Sequence, residues 1–218
     1  MSERPSPVAR MAPSAWNIAN GLTVLRLLLV PVFGWLLLWD DGHQAGPRWW
    51  AFVVFTIAMV TDRIDGDIAR SRGLITDFGK VADPIADKAL VTMALIGLSM
   101  IGDIPWWITL VITVREWGIT AMRFWVIRHG VMAAGRGGKV KTLLQALALG
   151  FFVIPRFSLP FSGALDLIAW VTLVAALVVT VVTGVDYAVD AFRLRRTSPR
   201  AMAKKAARAA ARDRRPEA

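Results

Sequence analysis

Residues 49–87 read WWAFVVFTIAMVTDRIDGDIARSRGLITDFGKVADPIAD, an apolar run that passes without a break into a stretch rich in aspartate. A bilayer hydrocarbon core of about 30 Å needs about 20 helical residues to cross it. About a dozen apolar residues precede Asp62, so a helix that crosses here must carry its first carboxylates below the membrane surface. Carboxylates at that depth are costly and mark function by default. Asp62 and Asp65 are three apart, and Asp83 and Asp87 are four apart, so each pair shares one helix face. The segment between them is short, so the two pairs face each other across two helix ends. Four converging carboxylates stay ionised only if a cation offsets their repulsion; otherwise some take up protons. No His or Cys lies nearby, and oxygen-only ligation favours Mg²⁺ or Mn²⁺ over zinc. Two such ions are a common solution for phosphate-ester chemistry. Gly66 leaves room for a ligand beside the backbone, and Arg70 and Thr76 offer phosphate contacts. The competing reading is a salt-bridge network with Arg63, Arg70, Arg72, Lys80 and Lys88. Four aspartates at this spacing inside a membrane favour the site. Asp67 and Asp77 fall off the paired faces and are left to the network.

Working outward, five more apolar runs meet the length of a span, or nearly so. With the run above, six helices are expected near 20–39, 48–70, 79–101, 104–128, 140–155 and 161–185, the last continuing toward Asp190. Pro31 predicts a kink in the first. The expected fold is therefore all-α: a polytopic membrane protein of six transmembrane helices with a polar active site facing the cytoplasm. Lys and Arg gather at alternate ends: Arg4 and Arg10; Arg70, Arg72 and Lys80; Arg128, Arg136, Lys139 and Lys141; then the C-terminal segment. The opposite ends hold Arg48 and Arg156. This bias predicts a multi-pass protein of the cell membrane with both termini cytoplasmic. Residues 1–14 are polar and no small-residue cleavage site follows the first apolar run, so a cleavable signal peptide is not expected.

Composition agrees. The 218 residues are 56% hydrophobic, with no Cys and a net charge of +10; mean hydropathy is +0.51. These values exclude a disordered chain, a collagen and a disulfide scaffold, and remove any thiol nucleophile. The charge does not point to nucleic acid. From Arg193 onward there are ten Lys and Arg against Asp213 and Glu217, so +8 of the +10 sits in one segment. No aromatic is interleaved with it, and it reads as a solvated tail held near anionic lipid. The expected organisation is a polar N-terminal segment over 1–15, a six-helix membrane catalytic domain over 16–192, and a basic cytoplasmic tail over 193–218.

The aspartate stretch resembles the motif of the CDP-alcohol phosphotransferase family, D-x2-D-G-x2-A-R-x8-G-x3-D-x3-D. It is matched at Asp62, Asp65, Gly66, Ala69, Arg70, Gly79, Asp83 and Asp87 with no departure. The resemblance implies that Asp62, Asp65, Asp83 and Asp87 ligate two divalent metals, Mg²⁺ or Mn²⁺. It implies that the nucleotide diphosphate of a CDP-linked lipid, CDP-diacylglycerol, lies against Asp62, Asp65, Gly66, Ala69, Arg70, Thr76 and Gly79. It also implies that Asp87 is the general base that deprotonates an acceptor alcohol, which attacks the β-phosphorus and expels CMP. The segment NIANGLTVLR, Asn17 to Arg26, resembles the family's first-helix entry, which implies nucleotide contacts from Asn20 and Thr23. Arg26 has two readings, a ligand contact or a side chain that snorkels to the interface.

Two further segments bear on the acceptor. REWGITAMR, Arg115 to Arg123, and GGKVKTLLQ, Gly137 to Gln145, resemble the bacterial phosphatidylglycerophosphate synthases of that family, which use glycerol 3-phosphate. An acceptor with its own phosphate needs added cations, and Arg115, Arg123, Lys139 and Lys141 offer them. For Lys139 and Lys141 the alternative is ordinary cytoplasmic loop charge, and Glu116 reads as an ion-pair partner of Arg115. Inositol phosphate, serine and phosphatidylglycerol are the competing acceptors. A reading of another class is a divalent-cation channel or transporter that uses the carboxylates as an ion path. Elsewhere, His43 and His129 are isolated. Most of the tryptophans fall at expected span ends, where an aromatic belt belongs. Gly97, Gly118, Gly150 and Gly184 permit close helix contacts, and relatives in this family imply a homodimer.

Overall fold

The computed structural model describes residues 18–72, 76–126 and 137–197; within these, the side chains of residues 19, 65–72, 77–81, 123–126, 137–139 and 192–197 lie outside the described set. The described residues are helical, with no strand. Six helices follow in order: α1 (Ile18–Leu38), α2 (Ala45–Arg72), α3 (Asp77–Met100), α4 (Trp106–Val126), α5 (Gly137–Val153) and α6 (Ser162–Thr197). Each expected span coincides with one helix. The largest departure is α6, which runs to Thr197 and so takes in the start of the basic segment expected as a tail. Among the described residues, two helical stretches are long and apolar enough to cross a membrane, Asn20–Gly42 and Ser162–Ala191, and Val140–Val153 is a shorter apolar helix. In α2 and α3 the aspartate stretch dilutes the apolar run, and α4 carries Arg115, Glu116 and Arg123.

The chain divides into two compact units, residues Met1–Gly97 and Leu98–Ala218. In the first, α1 and α2 form a hairpin. Asp40, Asp41 and Gly42 turn the chain with φ of 51°, 49° and 73°. Gly adopts this left-handed region freely, and short polar side chains tolerate it better than most. Buried Arg48 donates to the Gly42 carbonyl at 3.4 Å and ties the turn to α2. Val30, Phe33 and Leu37 of α1 are buried, as are Ala51, Phe55 and Ala58 of α2, at the spacing of one helix face. The Phe33 and Phe55 rings meet at 5.6 Å. From α3 come Ala82, Ala86, Leu90 and Ala94, one every fourth residue. Small residues bring α1 close to α3: a Cβ on Gly34 would lie 2.8 Å from the Met93 sulfur, and one on Gly97 would lie 2.7 Å from Leu37 Cδ2.

The second unit contains the end of α3 and helices α4 to α6. Gly102, at φ 81°, helps end α3, and Ser99 shares a 2.7 Å hydrogen bond with Thr109 of α4. Helix α6 packs against both α4 and α5. Its outward face of Val171, Val174, Val178, Val181, Val182 and Val185 is exposed and aliphatic, a surface suited to lipid. Arg156 fastens one end of this unit. It donates to the carbonyls of Phe151 and Phe152 at 2.8 Å, lies 4.6 Å from the Phe152 ring centroid, and pairs with Asp166. These contacts cap α5 and account for Asp166 without a functional role.

Candidate active site

Among the described residues, each unit carries a cluster of buried charged and polar side chains at the polar end of an otherwise apolar helix stripe. On α1 the inward residues are Asn20, Thr23, Arg26, Val30, Phe33 and Leu37. The spacing of three or four keeps them on one face. All three polar members contact the aspartate stretch. Thr76 donates to Asn20 Oδ1 at 3.0 Å, Thr23 donates to Asp83 Oδ1 at 2.5 Å, and Arg26 Nη1 lies 2.6 Å from Asp62 Oδ1. Asn20, expected at a nucleotide site, thus meets Thr76 of the same expected set, and Thr23 meets Asp83 of the expected metal ligands. Arg26 is only 1% exposed and ion-paired, which overturns the snorkelling reading. Its guanidinium turns inward because a carboxylate waits there.

Asp62 keeps a side-chain exposure of 32%, and Asp83 and Asp87 are half-buried, one turn apart on α3. Among the described residues Asp87 makes no hydrogen bond or ion pair, so its carboxylate is available to an outside proton. Asp65, Gly66, Ala69, Arg70 and Gly79 lie in α2 and α3, with side chains outside the described set. Among the described residues no group of three His, Cys, Asp or Glu gathers closely enough to hold a metal. The donor chemistry nevertheless fits a hard divalent ion. Asp62, Asp83 and Asp87 supply oxygen donors only, and among the described residues they outnumber the buried cation paired with Asp62, Arg26.

The second cluster has the opposite balance. Along α4 the buried stripe runs Ile108, Ile112, Glu116, with buried Ile104 just before the helix. Glu116, 9% exposed, accepts from two cations on one oxygen: Arg115 Nη1 at 3.0 Å and Lys141 Nζ at 2.5 Å. Lys141 is itself 8% exposed. Arg115 reaches α6 as well, donating from Nε to the Thr180 carbonyl at 3.0 Å and from Nη2 to Thr183 Oγ1 at 2.7 Å. Gly184 makes this path possible, since a Cβ there would lie 3.0 Å from Arg115 Cγ. Two of the four cations expected for an acceptor phosphate therefore share one carboxylate. Burial of Lys141 on a helix face is inconsistent with free loop charge. The side chains of Arg123 and Lys139 lie outside the described set.

Sequence reasoning read Glu116 as a simple partner and missed its bridging position, along with Thr183 and the glycine that seats Arg115. The signal was present as period: Glu116 occupies the next inward position of α4 after Ile108 and Ile112. Of the glycines expected to permit close contacts, Gly97 and Gly184 do so, while a Cβ on Gly118 would meet nothing within 4 Å.

The sequence profile of the CDP-alcohol phosphatidyltransferase family matches residues 16–188. The chain is 51% identical over 177 residues to the "Probable phosphatidylglycerophosphate synthase" of Mycobacterium tuberculosis (strain ATCC 25618 / H37Rv), covering 81% of this chain and 82% of that protein. It is 36% identical over 192 residues to the "CDP-diacylglycerol--glycerol-3-phosphate 3-phosphatidyltransferase" of Bacillus subtilis (strain 168), covering 79% of this chain and 93% of that protein. It is also 35% identical over 114 residues to the "Cardiolipin synthase (CMP-forming)" of Streptomyces coelicolor (strain ATCC BAA-471 / A3(2) / M145), covering 52% of this chain and 53% of that protein.

Proposed function

The chain belongs to the CDP-alcohol phosphatidyltransferase family, and from that premise we propose that it moves the phosphatidyl group of CDP-diacylglycerol to glycerol 3-phosphate, releasing CMP and phosphatidylglycerophosphate. It is a helical membrane enzyme. The transferase chemistry of the family takes the place of the channel reading of the acidic stretch. The observation that carries a phosphate-bearing acceptor is the Arg115–Glu116–Lys141 cluster; inositol phosphate would answer to the same charge, and the names of the relatives favour glycerol 3-phosphate over it. Two cations against one carboxylate leave a positive excess in a buried place, which calls for an anionic ligand. A serine acceptor does not answer that call, and the relatives from Mycobacterium tuberculosis and Bacillus subtilis carry names of the glycerol-phosphate reaction.

In this mechanism Asn20, Thr23, Asp62, Asp65, Gly66, Ala69, Arg70, Thr76 and Gly79 hold the cytidine diphosphate end of the donor lipid. Asp62, Asp65, Asp83 and Asp87 would hold one or two divalent ions, Mg²⁺ or Mn²⁺. When bound, such an ion offsets negative charge on the diphosphate and on departing CMP. Arg26 fixes Asp62 in place through their ion pair. Thr23 orients Asp83 through its hydroxyl proton. Asp87 accepts the proton of the acceptor hydroxyl as that oxygen attacks the β-phosphorus. The bond from phosphorus to the bridging oxygen breaks, and CMP leaves with the electron pair. A carboxylate is a weak base, so Asp87 acts by position rather than by basicity. Arg115, Arg123, Lys139 and Lys141 hold the acceptor's phosphate.

Six helices cross the cell membrane in this reading, both termini are cytoplasmic, residues 16–192 form the catalytic domain, and residues 193–218 lie along anionic lipid. A homodimer is the proposed assembly. A second reading, transfer to phosphatidylglycerol, draws on the Streptomyces coelicolor relative. An acceptor panel separates these. The full chain in vesicles, given CDP-diacylglycerol and Mg²⁺, is expected to release CMP with glycerol 3-phosphate. Release with phosphatidylglycerol, inositol phosphate or serine, and none with glycerol 3-phosphate, would overturn the assignment.

A further inference from the structure

The buried stripes of α4, α5 and α6 change character at the same end of the second unit. On α4, Ile112 gives way to Glu116; on α5, Leu149 gives way to Gln145 and then Lys141; on α6, Ala176 gives way to Thr180 and then to Thr183. The outer layer of this polar end is fully engaged: Arg115, Glu116, Lys141 and Thr183 bind one another. One helical turn deeper, three polar atoms are buried and have no hydrogen-bond partner among the described residues: Thr113 Oγ1, Gln145 Nε2 and Thr180 Oγ1. Thr113 lies three residues before Glu116, Gln145 four after Lys141, and Thr180 three before Thr183. Each therefore shares a helix face with a member of the engaged layer. Thr180 is tied to that layer directly, because its carbonyl accepts a hydrogen bond from Arg115 Nε. Gln145 is 4% exposed and Thr180 0%.

Proteins seldom leave buried polar atoms unpaired, and the same stripes are filled by Ile, Ala and Leu a turn further on. A carboxamide retained at Gln145 points to a ligand that satisfies it. The neighbouring charges indicate its chemistry. Among the described side chains, Arg115 and Lys141, less Glu116, supply a net +1, less than the charge of a phosphate monoester dianion. Cations gathered in the empty site repel one another in a low dielectric. Neutral donors add hydrogen bonds to an anion without that repulsion.

We propose that Gln145 is a specificity-determining residue whose side-chain amide donates to a phosphate oxygen of the acceptor, with the Thr113 and Thr180 hydroxyls as further donors beneath Arg115 and Lys141. This rests on the reading that the acceptor carries a phosphate. The shared ligand chemistry is a phosphate group, which a free phosphate monoester or a lipid headgroup can bring.

The test uses the full chain in vesicles and measures CMP release. Glycerol 3-phosphate is one acceptor arm, phosphatidylglycerol vesicles are another, and inorganic phosphate serves as a competitor. Gln145→Met removes the amide at similar volume. It is expected to raise the KM for glycerol 3-phosphate about tenfold, the scale of one hydrogen bond to a charged group. Inhibition by inorganic phosphate should weaken by a similar factor, while the KM for CDP-diacylglycerol and the thermal midpoint hold. Gln145→Glu, which places a negative charge against the phosphate, should raise the acceptor KM further. Thr180→Val keeps the shape and removes one donor, with an expected rise of about threefold; it also reads the site should Gln145→Met fail to fold. Unchanged acceptor KM and unchanged phosphate inhibition in Gln145→Met or Thr180→Val, with the unsubstituted enzyme active on glycerol 3-phosphate, would overturn the proposal alone. Turnover by the unsubstituted enzyme only with an acceptor lacking phosphate would overturn both the proposal and the acceptor reading. Effects confined to the phosphatidylglycerol arm would move the same site to a lipid headgroup and contradict the assignment to the free ester.

Discussion

The two polar clusters are built alike and charged oppositely. Among the described side chains of the first unit, three carboxylates, Asp62, Asp83 and Asp87, stand against one buried cation, Arg26. In the second, Arg115 and Lys141 stand against one Glu116. Both sit where an inward helix stripe turns from apolar to polar, so each is held in place by the packing of its own stripe. The lesson is that each cluster is incomplete in its own direction. An acid-rich group calls for cations and suits a metal-bound diphosphate. A cation-rich group calls for an anion and suits an acceptor that brings its own phosphate. Each also contains one residue of the minority sign, Arg26 or Glu116, that fixes the others in place.

The contrast is most open to attack at the acid-rich end. Asp87→Asn keeps shape and removes the base, and kcat measured by CMP release should fall by about 10²–10⁴-fold. Retention of the CDP-diacylglycerol KM would locate the loss in proton transfer, whereas full activity would strip Asp87 of that role. Arg26→Met leaves Asp62 without its buried cation. Asp62 is about a third exposed, so the expected loss is about 2 kcal/mol rather than the full value for a buried pair. That should lower the thermal midpoint by on the order of 5 °C and raise the donor KM, with no change in acceptor KM. An unchanged midpoint would make the pair incidental. On the cation-rich side, Gly184→Ala pushes a methyl against the Arg115 stem. A rise in acceptor KM of about threefold is expected, on the scale of a strained contact, and no change would mean Arg115 has a second path. The smallest effect belongs to Gly97→Ala, which meets the flexible end of Leu37. It should cost about 1 kcal/mol of stability and leave both KM values alone.

Much of this was legible in the sequence, for reasons that differ by region. Helix positions follow from apolar runs long enough to cross a membrane, so α1 was expected at 20–39 and is found at Ile18–Leu38. The end of α6 was not, because apolarity stops near Asp190 while helical hydrogen bonding continues to Thr197. The turn at Asp40 and Asp41 was also hidden, since nothing but the tertiary path requires two left-handed aspartates. The aspartates of the site were legible because their spacing is rigid. The countercharges were harder. Arg26 and Glu116 look like interfacial or surface charges when read alone. Their burial becomes visible only when each is placed in its stripe, Asn20–Thr23–Arg26–Val30 or Ile108–Ile112–Glu116. Gln145 was quoted as the end of a resembling segment, but its unpaired amide depends on what faces it, which a one-dimensional reading does not contain.

The central claim is that the acid-rich cluster serves the donor and the cation-rich cluster serves the acceptor. Paired KM measurements on Thr23→Val and Arg115→Ala test it most directly, because one residue from each cluster is altered and both substrates are titrated. Thr23→Val should raise the KM for CDP-diacylglycerol several-fold, about the scale of one neutral hydrogen bond, and leave the glycerol 3-phosphate KM unchanged. Arg115→Ala should do the reverse, raising the acceptor KM by about tenfold or more with the donor KM unchanged. If both variants shift the same substrate, or each shifts both equally, the division of labour between the two clusters is contradicted.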